Sequence, residues 1–162
     1  MLTQALVQEL FNYNPETGIL TNKIARGQRA KIGDDSGYVS GGGYLHIGIN
    51  GKKYLAHRIC FLHYHGHLPE KVDHKDNNKL NNEILNLRKC TAQQNSFNAK
   101  ISKANSSGVK GVHWHRSTKK WRAVVMIDGK NNHLGLFADI EDASKAVENA
   151  RIHRHGEFAN NG

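Results

Sequence analysis

Four polar side chains between Val72 and Asn98 have the types and the spacing for hydrolytic chemistry. Asp73 offers a hard carboxylate oxygen of the kind that suits Mg²⁺ or Mn²⁺. His74, directly after it, titrates near neutral pH and can take a proton from water. Asn86 can hold that imidazole in one tautomer, and Asn95 can bring a second, neutral oxygen to the metal. Such a set can attack a phosphate with the help of one metal ion. Taken singly, these residues also fit plainer roles: Asp-His followed by Asn-Asn as a solvated turn with a capped strand end, and Asn86 as a loop anchor.

The elements that must position this set can be read from the same stretch. Lys71-Val72-Asp73 has the pattern of a strand end, and Asn77-Asn78 is strong turn chemistry. Leu87 to Cys90 reads as a short returning strand, and Thr91 as the N-cap of a helix from Ala92 to Asn98. Adjacent residues on a regular strand point to opposite faces. For Asp73 and His74 to serve one site, the strand must therefore break between them.

Asp73-His74, Leu80-Asn81-Asn82, Asn86-Leu87, Thr91 and Asn95 resemble the HNH nucleases, specifically the phage and intron-encoded homing type with the ββα-metal motif. The likeness extends upstream through Ala56-His57-Arg58, His65-Gly66 and Pro69. It implies Asp73 and Asn95 as ligands of one Mg²⁺ or Mn²⁺, His74 as general base and Asn86 as the group that orients it. It further implies hydrolysis of a DNA phosphodiester to 5′-phosphate and 3′-hydroxyl ends. Asn81 stands where relatives commonly carry Asp, a change that touches the loop rather than the chemistry.

The 162 residues carry a net charge of +9 with pI near 9.7, which points to an anionic polymer as partner. Between Ile84 and Ile127 there is no Asp or Glu but there are nine Lys or Arg, a one-sidedness that phosphate binding explains better than a solvated surface does. Hydrophobic residues make up 38%, so each module can bury only a modest core. No stretch has transmembrane length, and Gln and Glu interrupt the apolar residues of positions 1–13, so neither a membrane partner nor a signal peptide is expected. Cys60 and Cys90 form no CxxC and read as reduced small hydrophobes of a cytosolic protein. The family likeness implies a phage-encoded protein in the host cytoplasm. No heptad or other dimer signal is present, so a monomer is expected.

Leu2, Leu6 and Leu10 have helical spacing, and Asn14-Pro15-Glu16-Thr17-Gly18 is a turn between two short strands. Residues 33–43 form a glycine-rich loop. Tyr44 to Ile49 alternates, Asn50-Gly51 is a hairpin signal, and Lys53 to Ala56 returns. His57 opens a helix from Arg58 to His65 that Gly66 closes. His63, His65 and His67 suggest zinc only weakly, because Gly66 ends the helix between them and no cysteine pair lies nearby. His57 fits a place near the site, a DNA contact or a structural hydrogen bond equally well. Residues 99–107, rich in Lys, Ser and Asn, read as a basic linker whose Lys100 and Lys103 face DNA.

From Gly108 the pattern changes. Val109 to His115, Trp121 to Ile127 and His133 to Phe137 read as three strands. Asp139 caps a helix to about His153, with Ile140, Ala143, Ala146, Val147 and Ala150 on one face. Gly108-Val-Lys-Gly-Val-His-Trp114, Lys120-Trp-Arg-Ala123, Leu134-Gly-Leu-Phe137 and the Glu141-Asp-Ala-Ser-Lys-Ala146 helix resemble the APETALA or ethylene-response-factor DNA-binding domain. That likeness implies a sheet lying in the major groove, with Lys110, His113, His115, Asn131, His133 and Arg122 as contacts. Alternation puts Ala123, Val125 and Ile127 on the helix side and Arg122, Val124 and Met126 outside. Trp114 and Trp121 read as core. Plant relatives carry several arginines on this face, able to read guanine bidentately. Here the face depends on Arg122, Lys110 and mostly neutral histidines, which favours backbone positioning over sequence reading.

The expected organisation is thus α+β. Residues 1–98 form a ββα-metal (HNH) nuclease domain, with an N-terminal helix and antiparallel β buttress at 1–56 and the catalytic core at 57–98. The linker at 99–107 leads to a three-stranded antiparallel sheet packed on one helix at 108–162. The expected function is metal-dependent cutting or nicking of specific double-stranded DNA sites. The main rival is a catalytically inactive, sequence-tolerant DNA-binding protein or regulator; a zinc-dependent structural or RNA-binding protein is a third class.

Overall fold

The computed structural model describes residues 2–28, 30–98, 101, 105–127 and 129–159, without the side chains of Ser96, Phe97, His155 and Glu157. Two of the expected DNA contacts, Lys100 and Lys103, lie outside the described residues. The chain divides into two compact units, Met1–Thr91 and Ala92–Gly162.

The first unit opens on α1 (Gln4–Leu10), whose N-cap Thr3 accepts from the Leu6 N–H. This is the ordinary device for a helix start. The chain then makes a hairpin of β1 (Phe11–Tyr13) and β2 (Leu20–Asn22) around the Asn14–Gly18 turn. Inside the glycine-rich stretch, where only loop was expected, a short β3 (Tyr38–Val39) pairs with β4 (Leu45–Ile49). The Asn50-Gly51 turn, with both residues at positive φ, brings back β5 (Lys52–Leu55). α2 (Ala56–His65) begins two residues earlier than expected and ends at Gly66 in the left-handed region. His57 therefore lies in its first turn. β6 (Lys71–His74) and β7 (Leu87–Cys90) form a two-stranded ribbon.

Val7, Phe11, Leu20, Ile47, Ile49, Ile59 and Cys60 build the core of this unit, with Val72 and Leu87 of the ribbon against it. Both cysteines are buried free thiols, as their apolar setting suggested.

The Asn14–Gly18 turn does more than join two strands. A Cβ on Gly18 would stand 2.5 Å from the Asn82 carbonyl carbon and the Glu83 nitrogen, and its φ is +72°. Tyr13 donates its hydroxyl to the Asn82 carbonyl at 2.7 Å, and Ile84 N–H donates to Pro15 at 2.9 Å. The N-terminal hairpin thereby clamps the loop that joins β6 to β7.

The second unit contains α3 (Ala92–Asn98), β8 (Val112–His115), β9 (Lys120–Ile127), β10 (Lys130–Phe137), α4 (Ile140–His155) and a closing 3₁₀ turn (Gly156–Phe158). The sheet is antiparallel with β9 in the middle, and α4 packs against it. Asp139 caps α4 by accepting from the Glu141 N–H. Val112, Ala123, Ala143 and Val147 are buried between sheet and helix. Small residues on α4 let the helix approach this closely. Trp121 packs against the core, but Trp114, expected beside it, is 46% exposed and meets Trp121 edge-on at 5.0 Å.

Replacing Gly18 with Ala should cost about 2–4 kcal/mol, combining positive-φ strain with overpacking against backbone. Gly33→Ala, at φ +84° with nothing within 4 Å, should lose only about 1 kcal/mol. Urea denaturation of both variants measures the difference.

Candidate active site

The β6–β7 register sets Asp73 opposite Arg88 and His74 opposite Leu87. Directly opposed residues of an antiparallel pair share a face, so the carboxylate and the guanidinium meet. Arg88 donates from Nε at 3.1 Å and from Nη2 at 3.0 Å, both to Asp73 Oδ2. Both side chains are about nine-tenths buried.

The strand does not break between Asp73 and His74, contrary to expectation. β6 runs through His74, and Lys75 N–H still donates to the Asn86 carbonyl at 2.9 Å. Strand alternation consequently gives the two residues different surroundings. Asp73 meets Arg88, while His74 packs among rings and amides.

His74 is 4% exposed. Its Nε2 lies 3.1 Å from Asn82 Oδ1, and its ring meets His57 edge-on at 4.8 Å. Tyr44 flanks both rings, 5.7 Å from His57 and 6.3 Å from His74, and Lys79 Nζ stands 4.5 Å over the Tyr44 ring. Burial, followed by the nearby His74, Arg58 and His46, lowers the His57 pKa to about 3. His57 is therefore a neutral ring at physiological pH. This answers the question its sequence position left open in favour of a packed neighbour of His74.

Asn86, expected to hold the imidazole, directs its hydrogen bonds to the loop instead. Its Nδ2 donates to Asp76 Oδ1 at 3.0 Å and to the Asn81 carbonyl at 2.8 Å, while its Oδ1 accepts from Asp76 N–H at 3.1 Å. The amide at the imidazole is Asn82. The Asp76 carboxylate collects Asn78 N–H and the Asn81 and Asn86 amides. Burial alone would raise its pKa, but these hydrogen bonds and the nearby His74 hold it below the ordinary value.

Asn95 lies on α3, its side chain exposed, within the second unit. In that unit the register puts Arg122, His113, His115, Val124, Met126, Asn131 and His133 on the face of the sheet opposite Ala123 and Val125. Five of the expected contacts therefore share one surface. Lys110 is not among them. It sits in the turn ahead of β8, and its carbonyl accepts from Arg151 at 2.7 Å. Burial and the Arg151 charge lower its pKa to about 8.

Sequence reading missed Arg88 as Asp73's partner and Asn82 as His74's. The first was not open to inference, since residues 75–86 separate the two strands and leave their register to packing. Nor was the second, because Asn82 reaches His74 only when the hairpin clamp shapes the loop. His63, considered for zinc, lies 3.3 Å through Nε2 from the Phe11 carbonyl, and no group of three or more His, Cys, Asp or Glu fit for a metal occurs among the described residues.

Residues 54–97 match the family model described as HNH endonuclease. Protein 3.8 of Escherichia phage T7 is 35% identical over 88 residues, 54% of this chain and 72% of the relative. The chain belongs to the HNH endonuclease family. The SPbeta prophage-derived putative HNH homing endonuclease YosQ of Bacillus subtilis is 33% identical over 86 residues, 52% of this chain and 49% of that protein. Coverage of the curated relatives runs from 49% to 72% of their lengths. A solved structure described as DNA binding and cleavage by the HNH homing endonuclease I-HmuI aligns over 83% of this chain and 75% of its own, at 22% identity and a TM-score of 0.41. No helix among the described residues of this HNH protein is long and apolar enough to cross a membrane.

The neutral His57 makes stability pH-dependent. Its folded pKa lies below the ordinary 6.5, so between pH 6.5 and about 3 the unfolded chain binds the extra proton. Stability from this group is fully present above pH 6.5 and drains away as pH falls toward 3, by an amount on the order of a few kcal/mol. Denaturant titrations across that range should show a steeper acid limb for the wild type than for His57→Asn.

Proposed function

We propose that the protein is a metal-dependent DNA endonuclease of the HNH homing type, with His74 as general base. The observation that carries the reading is the buried His74 imidazole, which meets the Asn82 amide oxygen through Nε2 and the His57 ring edge-on. Family membership supports the reaction class, and the +9 charge supports DNA as substrate.

The donor chemistry fits a hard divalent ion. Mg²⁺ is usually held by one or two carboxylates together with substrate phosphates. Asp73 supplies one carboxylate, and the Arg88 guanidinium against it is a stand-in cation. Asp73 and Asn95 are the residues proposed to hold one Mg²⁺ or Mn²⁺. When bound, that ion supplies Lewis-acid stabilisation of charge on the phosphate and the leaving 3′-oxygen.

The remaining work belongs to the chain itself. With Asn82 Oδ1 accepting from Nε2, the His74 tautomer has its basic lone pair on Nδ1. Nδ1 then takes a proton from the attacking water. Asn82 and the His57 ring hold the imidazole, and Asn86 holds the Asp76 loop around it. The outer face of the β8–β10 sheet, with His113, His115, Arg122, Asn131 and His133, is proposed to lie on duplex DNA in the manner of the APETALA-type domain it resembles. A single site in a monomer gives one nick per binding event. The host cytoplasm is the proposed place of action.

With Mg²⁺ and supercoiled plasmid, His74→Ala should cut at least about 10²-fold more slowly than the wild type while retaining DNA affinity. Asn82→Ala should lose less than His74→Ala but more than Asn78→Ala. Equal cutting by wild type and His74→Ala would leave the inactive DNA-binding reading in its place. Arg122→Ala should lower the slope of log affinity against log salt by about 0.9, read by fluorescence anisotropy on labelled duplex.

A further inference from the structure

We infer that Arg88 makes metal loading conditional on DNA: it holds Asp73 as an internal counterion, so the ion binds well only when DNA phosphate is present. The inference rests on the proposed role of Asp73 as a metal ligand.

Two of the Arg88 nitrogens converge on one oxygen, Asp73 Oδ2, and the pair is about nine-tenths buried on a ribbon of only two strands. Taking two charges out of water is expensive, and a buried pair adds little stability over an apolar pair of the same volume. Stability alone therefore does not account for the pair. Arg88 is held opposite Asp73 by the strand register itself. A divalent ion approaching Asp73 thus meets a carboxylate already neutralised and a like charge close by. DNA reverses the balance, because a phosphate brings negative charge that attracts both cations. Metal and DNA should then bind cooperatively, and each must raise the affinity of the other by the same factor. In the free protein the carboxylate is kept in its rotamer by the chain's own cation.

The test uses the full chain with His74→Ala, so that DNA stays intact, and reads Mn²⁺ affinity by calorimetry with and without sheared plasmid DNA. DNA should raise Mn²⁺ affinity at least about tenfold. Adding Arg88→Gln should tighten Mn²⁺ binding to the DNA-free protein by about the same factor and shrink the coupling. Arg88→Lys, which keeps the charge, should stay near the parent. Equal Mn²⁺ affinity with and without DNA in the parent overturns the inference whether or not Arg88→Gln folds. A folded Arg88→Gln that binds Mn²⁺ no tighter also overturns it. An Asp73→Asn arm separates the two levels: unchanged Mn²⁺ binding there refutes Asp73 as a ligand, whereas lost binding without DNA coupling refutes only the role of Arg88.

Discussion

The pairing of β6 with β7 is the constraint on which the candidate site depends. One register decides that Asp73 faces Arg88 and His74 faces Leu87. A slip of β6 by one residue would turn each of its side chains to the other face. It would place Arg88 beside His74 and leave Asp73 against the core. Val72 and Leu87 pin the register from below, since both contribute to the same hydrophobic cluster.

A two-stranded ribbon cannot hold such a site by itself, because an isolated hairpin is marginal in water. The structure supplies support from the N-terminal half. The Asn14–Gly18 turn grips the backbone at Asn82 and Ile84, α2 brings His57 against the His74 ring, and the glycine loop accepts from Lys79 through Gly42. The buttress expected there is thus part of the site's geometry as well as of its stability. The imidazole stands between an amide and a neutral ring, both fixed by elements distant in sequence.

The division of labour between the two neighbours on β6 follows from strand geometry. Asp73 meets the Arg88 guanidinium, whereas His74 packs against the Asn82 amide and the His57 ring with the Asp76 carboxylate nearby. The second unit follows a different plan, with a sheet whose inner face is filled by α4 and whose outer face is polar and nearly free of carboxylates. Lys110 shows how far short-range likeness can mislead, for its place in a motif put it on that face while its turn beside Arg151 does not.

Periodicity and turn chemistry are local properties, so much of the element order was legible in the residues. The bounds of α3, the β6–β7 ribbon, the Asn50-Gly51 hairpin and the capped α4 could all be read from neighbours within a few positions. The residue types of the candidate site, a carboxylate next to an imidazole, were equally plain, as was the excess of positive charge. Partner choice was not. Asn86 and Asn82 are the same residue type four apart in one loop, and nothing local distinguishes which amide meets His74. That was decided by the hairpin pressing Gly18 onto Asn82, a contact across more than sixty positions. The continuation of β6 through His74 was settled in the same way, because the ladder bond from Lys75 to Asn86 outweighed the turn signal after it. Sequence alone determined which groups this protein has available for chemistry. Tertiary structure decided which of them touch, because hydrogen-bond partners and ion pairs depend on packing between segments that carry no record of one another.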